Sequence, residues 1–466
     1  MKHATFTGRL VIVGFGSIGQ GVLPLILTHL DVDPAMVTIV TAEERGHGVA
    51  REYGVRFVLK RLTPANYRDV LAPMLGEGDF LVNVSVNVSS LALIELCREK
   101  GAFYTDTCIE PWAGGYTDTS LSPSLRSNYA LREAAKKFHG AGHPTAVVTH
   151  GANPGLVSHL VKRALLTIAA DAGVKVDRPT DREGWARLMQ TLGVKVVHVA
   201  ERDTQTTAEP KPPGEFVNTW SVEGFVGEGL QPAELGWGSH EKAMPTGGHH
   251  HAFGPNCAIY ITRPGASVKV RSWTPMEGPY HGFLITHSEA ISLADYFTVG
   301  SGAAPEFRPT VHYAYHPCDE AVLSLHELAG KSWQFTQKPV VAMEEIAAGN
   351  DELGVLLMGH SQGAYWFGSR LSIGEARRRA PHNNATSLQV TATLLAGMIW
   401  ALENPRRGMV EPEQLDFERI LELARPYLGT LVGEYTDWTP LDHRGELFEE
   451  ELDRDDPWQF KNFLVL

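Results

Sequence analysis

The sequence predicts an α/β fold in which a doubly wound parallel sheet is followed by a second α+β domain with a mixed sheet. Three observations support this prediction. A glycine-rich turn directly follows the first apolar strand, apolar strands and helices then alternate to residue 150, and the region 194–298 is rich in Gly, Trp, Thr and β-branched residues. Strand–helix alternation is typical of parallel sheets covered on both faces, whereas short alternating segments favour antiparallel pairing.

The elements of the first domain follow from the spacing of apolar residues, which differs between strands and helices. Apolar, β-branched runs predict strands at 9–13, 36–41, 56–59, 80–84, 102–105 and 145–149. Helical spacing predicts helices at 17–30, 65–75, 89–100 and 125–139. Later in the chain, the pattern predicts strands at 216–222 and 267–273 and helices at 386–402 and 415–423.

The turn after the first strand has the spacing GxGxxG, formed by Gly14, Gly16, Ser17, Ile18 and Gly19. In a strand–turn–helix unit these glycines allow a tight turn, close approach of a pyrophosphate and contact between helix and strand. The free N–H groups at the helix N-terminus then favour phosphate. The sequence therefore predicts a Rossmann domain that binds a nicotinamide dinucleotide.

The end of the second strand bears on the choice between NAD and NADP, because an acid there usually holds the ribose hydroxyls of NAD. Thr41 occupies this position, with Glu43 and Glu44 beyond it and Arg45 after them. The glutamates would repel a 2′-phosphate and Arg45 could bind one. We expect NAD.

These patterns divide the chain into three parts. Residues 1–155 form the predicted NAD-binding Rossmann domain, and residues 156–385 an α+β domain for substrate binding and dimerisation. Residues 386–466 are predicted to form helices that pack back on the Rossmann domain, followed by a tail. A homodimer is expected for an enzyme of this size.

Composition excludes several classes of protein. The net charge is −13 without a basic tract, which argues against nucleic acid as a partner. The most apolar helix, 388–402, is short for a membrane span and contains Gln389, so we expect a buried helix. No signal peptide and no paired cysteines are evident, which favours the cytoplasm. His249, His250 and His251 lack an acid at ligand spacing, and we expect an exposed loop and no metal site.

A second motif indicates different chemistry. Residues 359–363 read GxSxG, the nucleophile elbow of α/β-hydrolases, with Ser361 as the nucleophile. A nucleophile elbow needs a helix after it, but the bulky, strand-like segment 364–368 follows here. The preferred interpretation is a polar turn between strands, and a serine hydrolase remains the alternative from another class.

The middle of the chain combines acids with aromatic residues, among them Glu201, Trp220, Glu223, Glu228 and Trp237. An amine substrate is a cation at neutral pH, and carboxylates together with an aromatic face would bind it. The pattern favours a cationic substrate.

Several segments resemble bacterial homospermidine synthases, a family related in fold to saccharopine dehydrogenases. They are GANPG (151–155), AERDTQ (200–205), VNTWSVEG (217–224), GLQPAELGW (229–237), ADYFT (294–298), HYAYHP (312–317) and YTDWTP (435–440). The resemblance implies that NAD⁺ takes a hydride from putrescine, that a second diamine adds with loss of ammonia, and that the hydride returns to give homospermidine.

The resemblance also implies site residues. The implied catalytic residues are Trp220 as the face that holds the cation, Glu201 and Glu228 as carboxylates for the amines, and His287 and Asn153 beside substrate and nicotinamide. The implied cofactor contacts beyond the glycine turn are Thr41, Ser85, Asp106 and Asn153. The chain departs from the family at three positions: Thr41 and Ser361, where the family has an acid, and Asn87, where it has Asp. These departures bear on which diamine is preferred.

A saccharopine- or carboxyspermidine-dehydrogenase-like imine reductase is the second enzyme hypothesis. Its substrate carries carboxylates, so its pocket would need cationic side chains, for which Arg202, Arg263 and Arg271 are candidates.

Overall fold

The computed structural model describes residues 2–175, 177–302 and 304–465. Two large sheets organise these residues, one of seven strands and one of eleven. Each sheet has helices packed on it, so the described chain forms an α/β fold as predicted.

The first sheet is wholly parallel. In spatial order its strands are Arg56–Leu59, Val37–Thr41, Leu10–Val13, Phe80–Asn83, Phe103–Asp106, Ala146–Val147 and Met409–Val410. Its helices are Ser17–His29, His47–Glu52, Tyr67–Leu71, Ser90–Lys100 and Asn128–Ala135. The first six strands have the order 3-2-1-4-5-6, which is the doubly wound order of dinucleotide-binding domains. The seventh strand comes from much later in the chain.

The second sheet is mixed, as predicted. Its main path is Gly248–His250, Ala258–Pro264, Pro232–Gly236, Thr310–His316, Val196–Asp203, Asn350–His360, Gly363–Ser372 and Thr430–Thr436. Lys269–Thr274, Gly278–Phe283 and Leu464–Val465 extend it. Thr310–His316 runs parallel to Val196–Asp203, whereas Asn350–His360 runs antiparallel to it. Its central strands therefore come from three distant parts of the chain.

The helices of the second part and the shorter elements complete the fold. The helices are Leu156–Asp171, Arg182–Leu192, Val222–Leu230, Ser288–Tyr296, Asp319–Gly330, Ile373–Arg379, Ala385–Glu403, Phe417–Ala424 and Phe460–Phe463. Short strands pair as Ala4–Thr5 with Leu30–Asp31, Thr206–Thr207 with Ile346–Ala348, and Glu215–Asn218 with Lys338–Val341.

The two faces of the central strand Val196–Asp203 have different surroundings because side chains alternate along a strand. Val197 and Val199 join the large core that contains the helices. Val196 and Ala200 join a separate core on the other face, which the C-terminal segment covers. Glu201 and Asp203 share the helix-covered face with Val197 and Val199. This alternation directs both carboxylates to the same side of the sheet.

The apolar C-terminal helix Ala385–Glu403 is a core helix. It is long and apolar enough to cross a membrane by composition, but 89% of its most apolar stretch is buried inside the protein. It begins at Asn384, whose side chain accepts a hydrogen bond from the Ser387 N–H in a capping box. The helix packs against Ser17–His29 of the Rossmann domain.

Some predicted elements were wrong at their ends. The strand predicted at 216–222 ends at Asn218, because the Ser221 side chain accepts from the Gly224 N–H and starts a helix at Val222. The helix predicted at 65–75 covers only Tyr67–Leu71, and a 3-10 turn containing Pro73 follows it.

The predicted exposed loop at the three histidines was also wrong. His249 and His250 belong to the strand Gly248–His250 and remain exposed, whereas His251 is buried. Its ring stacks on Tyr129 with centroids 3.9 Å apart, and its Nε2 lies 3.3 Å from Glu234. His251 thus joins the second sheet to a helix of the Rossmann domain.

Candidate active site

A cleft of about 660 Å³ lies at the carboxyl ends of the Rossmann strands. The residues that line it come from both parts of the chain: the glycine turn, Thr41, Lys60, Arg61, Ser85 and Asn87 from the Rossmann domain, and Ser221, Glu223, Val341, Met343 and His382 from beyond it. Ligands of open α/β sheets bind at this position, where strand order reverses.

The glycine turn has the shape that a dinucleotide requires. A Cβ on Gly14, whose φ is +88°, would lie 2.7 Å from the backbone of Ser85, and a Cβ on Gly19 would lie 2.7 Å from the carbonyl oxygen of Gly14. At Gly16 a Cβ would meet nothing within 4 Å. Gly16 also begins the helix Ser17–His29 without a side-chain cap, which leaves the first N–H groups available to a phosphate. The residues present therefore fit a dinucleotide.

The predicted cofactor residues separate into two groups. Those that line the cleft are Gly14, Gly16, Ser17, Ile18, Thr41 and Ser85. Gly19, Asp106 and Asn153 lie outside it. Gly19 serves the contact between helix and strand, and Asp106 is fully buried beneath the cleft.

Glu201 is the centre of a second group of predicted residues. Its Oε2 accepts a hydrogen bond from Asn153 Nδ2 at 2.7 Å and another from the Tyr313 hydroxyl. Burial and the nearby charge of Asp203 raise the pKa of Glu201 to about 7, although the two hydrogen bonds oppose this shift. Glu201 can therefore gain or lose a proton near neutral pH, as a general acid or base must.

Two further carboxylates accompany Glu201 on the same face of the sheet. Asp203 lies two residues along the strand, and Asp351 is directly opposite Asp203 in the antiparallel register. Both oxygens of Asp351 are buried and make no hydrogen bond of good geometry among the residues described, although the Thr386 hydroxyl and the Glu201 carboxyl lie close enough to affect the pKa of Asp351. Burial and the charges of Glu201 and Asp203 raise the pKa of Asp351 well above its usual range. The charges of His287 and Arg202 oppose the rise in the pKa of Glu201 and Asp203, respectively, but among the described residues no cation forms an ion pair with the three carboxylates.

His287 and Glu228 were implied by the resemblance in separate roles, and the structure places them in contact. His287 Nε2 lies 3.0 Å from Glu228, and its Nδ1 lies 3.2 Å from Glu289. Burial disfavours the charged imidazole, but the two carboxylates outweigh it and raise the pKa of His287 well above its usual range. His287 is therefore an imidazolium held between two acids.

Glu110 was missed by the sequence reasoning. It is buried next to Cys108, whose thiol donates to Glu110 Oε1 at 3.3 Å. Burial raises the pKa of Glu110 to about 8, and the charge of Glu228 contributes to the shift. Glu110 is thus electrostatically coupled to the Glu228–His287 pair. The acid in the segment EPW at 110–112 was visible in the sequence, but nothing in its spacing linked it to Glu228.

Trp220 lies beside the carboxylate cluster. Its indole Nε1–H donates to the Tyr315 hydroxyl at 3.0 Å, and Tyr315 stacks on Tyr313 with ring centroids 4.9 Å apart. Tyr313 in turn donates to Glu201. One connected aromatic group therefore adjoins the acids, as cation binding by carboxylate and π-face requires.

The alternative chemistries lack matching geometry. Ser361 lies in the hairpin turn between Asn350–His360 and Gly363–Ser372, as the preferred interpretation of GxSxG predicted. Arg202 pairs with Glu277 and Asp319, so its charge is already neutralised. Within 2–175, 177–302 and 304–465, no group of three or more His, Cys, Asp or Glu side chains could hold a metal ion.

Comparison with known proteins identifies the family. Residues 10–147 match the saccharopine dehydrogenase NADP binding domain and residues 151–437 the saccharopine dehydrogenase C-terminal domain. The homospermidine synthase of Blastochloris viridis is 54% identical, covering 98% of this chain and 97% of that protein. That of Mesorhizobium japonicum is 51% identical over 99% of this chain and 97% of its own length.

A solved structure gives the same result. The homospermidine synthase of Legionella pneumophila, in complex with NAD, superposes with a TM-score of 0.93 at 52% identity, covering 99% of this chain and 98% of that one. The Rossmann domain, the mixed sheet and the resemblance found in the sequence are all confirmed. The chain belongs to the homospermidine synthase family.

Proposed function

We propose that the chain couples two molecules of putrescine, or putrescine and spermidine, to a longer polyamine with release of ammonia, using NAD as a hydride carrier. The observation that carries this proposal is the buried carboxylate cluster of Glu201, Asp203 and Asp351. Asp351 makes no hydrogen bond of good geometry among the described residues, and the hydrogen-bond partners of Glu201 are neutral. Burial without a charged partner drives these carboxyls towards their neutral form, as their raised pKa values indicate, and a cationic ligand would stabilise the charged form.

NAD supplies the chemistry of hydride removal and return when it occupies the cleft. The glycine turn would hold its pyrophosphate, and Thr41 and Ser85 line the cleft on either side of that turn. The Glu43 N–H donates to the Thr41 hydroxyl at 3.4 Å, and the Glu43 carboxylate forms an ion pair with Arg45 at 2.8 Å, so a 2′-phosphate at Thr41 would meet an acid, although Lys60 and Arg61 also line the cleft. These contacts support NAD over NADP.

The side chains have separate tasks in this proposal. Asp351 and Asp203 pair with one ammonium end of the diamine, and Trp220 supports its charge. Glu201, whose pKa is raised to about 7, accepts and returns the proton at the reacting nitrogen. The imidazolium of His287, on the side of Glu228, donates a proton to the leaving nitrogen. That nitrogen can then depart as neutral ammonia. The carboxylates of this site would attract the diamine, which carries two positive charges at neutral pH.

The chain is further proposed to act in the cytoplasm as a homodimer. The net charge of −13 supports solubility and attraction of a cationic substrate.

The hydride carrier makes a direct test possible. Putrescine deuterated at both carbons that bear nitrogen should give homospermidine that retains all its deuterium, because the hydride removed in the first step returns in the second. We expect one ammonia per homospermidine, no net change in NADH absorbance, and NAD retained through purification. Mass spectrometry measures the label. Unlabelled NADH added in excess is the control, and dilution of the label by it, or accumulation of NADH with putrescine alone, contradicts the proposal.

The Glu228–His287 pair gives a second prediction. Glu228→Gln keeps the shape of the side chain but removes one of the two charges that hold His287 as an imidazolium. The pKa of His287 should fall, so the alkaline limb of the pH profile of kcat should move to lower pH while NAD binding stays unchanged. We expect kcat at pH 8 to fall by about 10- to 100-fold, in the range of general acid–base effects. An equal loss of NAD binding would show that Glu228 acts on the cofactor instead.

A further inference from the structure

Thr149 has an unusual backbone conformation close to the active site. Its φ is +53°, in the left-handed region, and Thr is a β-branched residue that rarely adopts it. Thr149 follows the strand Ala146–Val147 and precedes the loop 151–155, which carries Asn153. Strained residues persist only where their surroundings hold them, and specific contacts hold Thr149.

Asp106 holds Thr149 and its neighbour. The side chain Oδ1 of Asp106 accepts from the Thr149 N–H at 2.6 Å, and the main-chain oxygen of Asp106 accepts from the His150 N–H at 2.9 Å. The other side-chain oxygen accepts from the Tyr104 hydroxyl at 2.7 Å. Asp106 is fully buried, and these bonds orient its carboxylate. A single residue therefore fixes two consecutive positions at the base of the loop.

The loop beyond Thr149 is closed on itself. The Gly151 N–H donates to the Pro154 oxygen at 2.8 Å, and the Leu156 N–H donates to the Gly151 oxygen at 2.9 Å. A Cβ on Gly155 would lie 2.2 Å from the Gly151 oxygen, so the two ends of the loop touch. A loop closed in this way changes orientation as a unit. The direction of the Asn153 side chain therefore depends on the conformation of Thr149 and His150 at the base of the loop.

Hydrogen bonds also connect Asp106 to the cofactor cleft. The Tyr104 hydroxyl accepts from Asn83 Nδ2 at 3.2 Å, and Asn83 Oδ1 accepts from the Ser85 hydroxyl at 2.6 Å. Ser85 lines the cleft. One hydrogen-bonded series therefore runs from the cleft through Tyr104 to Asp106. Asp106 is the member that touches the base of the Asn153 loop.

We propose that Asp106 is a positioning residue for the substrate side of the site: it holds Thr149 in the left-handed conformation and thereby aims Asn153 at Glu201. This role rests on the proposed function of Glu201. It differs from the direct cofactor contact that the sequence resemblance implied for Asp106. Asp106 contacts neither substrate nor cofactor in this role and acts through the loop.

A double-substitution experiment tests the proposal. Asp106→Ala removes the acceptor that holds Thr149, whereas Thr149→Gly removes the strain, since glycine adopts positive φ freely. We expect Asp106→Ala to lower kcat/KM for putrescine by at least about tenfold, Thr149→Gly to stay within about twofold, and the double variant to recover most of the loss. NAD retention should be unchanged in all three proteins.

The pH profile distinguishes positioning from a general structural effect. The hydrogen bond from Asn153 lowers the pKa of Glu201, so misdirecting Asn153 should raise that pKa. The acid limb of kcat/KM should therefore move to higher pH in Asp106→Ala and return in the double variant. Asp106→Asn keeps an oxygen for the Thr149 N–H and should leave this limb in place.

The outcomes separate the two proposals. A parent enzyme that makes no homospermidine contradicts the proposed function. An active parent whose double variant is no better than Asp106→Ala, or an Asp106→Ala variant that loses NAD, contradicts the positioning role. If the Asp106→Ala variant folds only when Thr149→Gly is also present, the positioning role of Asp106 is supported. If neither folds, Asp106→Asn decides: a shifted acid limb that Thr149→Gly does not restore contradicts it.

Discussion

Glu201→Gln should abolish most turnover while leaving NAD bound. The substitution keeps the size of the side chain and an oxygen for Asn153 and Tyr313, but it removes the charge and the proton-accepting group. Removing one member of a buried charge pair costs about 2–4 kcal/mol, which is about a 30- to 1,000-fold loss in kcat/KM. Steady-state kinetics with putrescine measures the loss, and the NAD content of the purified protein measures the cofactor.

The pH profile provides the second measurement on this variant. Because burial raises the pKa of Glu201 to about 7, the free enzyme is half protonated there, and the protonated form neither binds an ammonium nor accepts a proton. The parent kcat/KM should rise with pH through an acid limb near 7. The residual activity of Glu201→Gln should lack this limb. An unchanged limb would assign it to another group.

The Glu201→Gln substitution should raise thermal stability at pH 8 although it lowers activity. A carboxyl group whose pKa is raised in the folded protein binds protons more tightly there than in the unfolded chain, so its ionisation destabilises the fold as pH increases from 4.5 through 7. Glu201→Gln removes this cost. Its Tm should exceed that of the parent at pH 8, and the difference should shrink towards pH 5. Thermal unfolding at both pH values tests the sign.

Glu241→Gln is the matched control. Burial also raises the pKa of Glu241 to about 7, and this side chain accepts from the Thr310 hydroxyl and the Phe460 N–H near the C-terminal segment. It shares the chemistry of Glu201 but contacts none of the proposed substrate residues. Its variant should keep the parent kcat and the acid limb. A loss of activity equal to that of Glu201→Gln would mean that buried carboxylates act here through stability alone.

The fold was predictable because its signals are local. The turn Gly14 to Gly19, between an apolar strand and a helix, is a continuous pattern, and strand–helix alternation extends it to a parallel sheet. The seventh strand Met409–Val410 carried no such signal, since a two-residue strand has no period. Similarly, Ser221 ended a predicted strand because a capping side chain outweighed β-branched composition.

The site was predictable only in part, because its residues are brought together by the pairing register of strands that are distant in the chain. Glu201 and Trp220 came from a family resemblance, and the acid–aromatic composition gave only the sign of the substrate charge. Asp351 faces Asp203 through the pairing of strands about 150 residues apart in the chain, and no local pattern encodes that pairing. The charge of Glu228 raises the pKa of Glu110, which lies in the other part of the chain, and no local pattern encodes this proximity either. Long-range strand order decides which acids come together in the fold.

Trp220→Ala should lower kcat/KM about 100-fold or more, and Trp220→Phe by about tenfold. Alanine removes both the aromatic face, worth about 0.5–2 kcal/mol to a cation, and the packing of the ring against Phe225. Phenylalanine keeps a smaller π-face but loses the indole N–H that orients the Tyr315 hydroxyl. Steady-state kinetics measures both variants, and NAD retention should match the parent.

The ratio of kcat/KM between Trp220→Phe and Trp220→Ala distinguishes a cation–π contact from packing. Loss of packing alone does not depend on the charge of the ligand. A cation–π contact predicts that activity follows the strength of the ring as a π-face, so Trp should exceed Phe, and Phe should exceed a leucine of similar bulk at the same position. Trp185→Phe is the control, since Trp185 is buried in a helix against Phe417 and holds its own cation, Lys162, over its ring. It should change Tm without changing kcat/KM. If Trp220→Leu equals Trp220→Phe, the ring fills space and the carboxylates alone hold the ammonium.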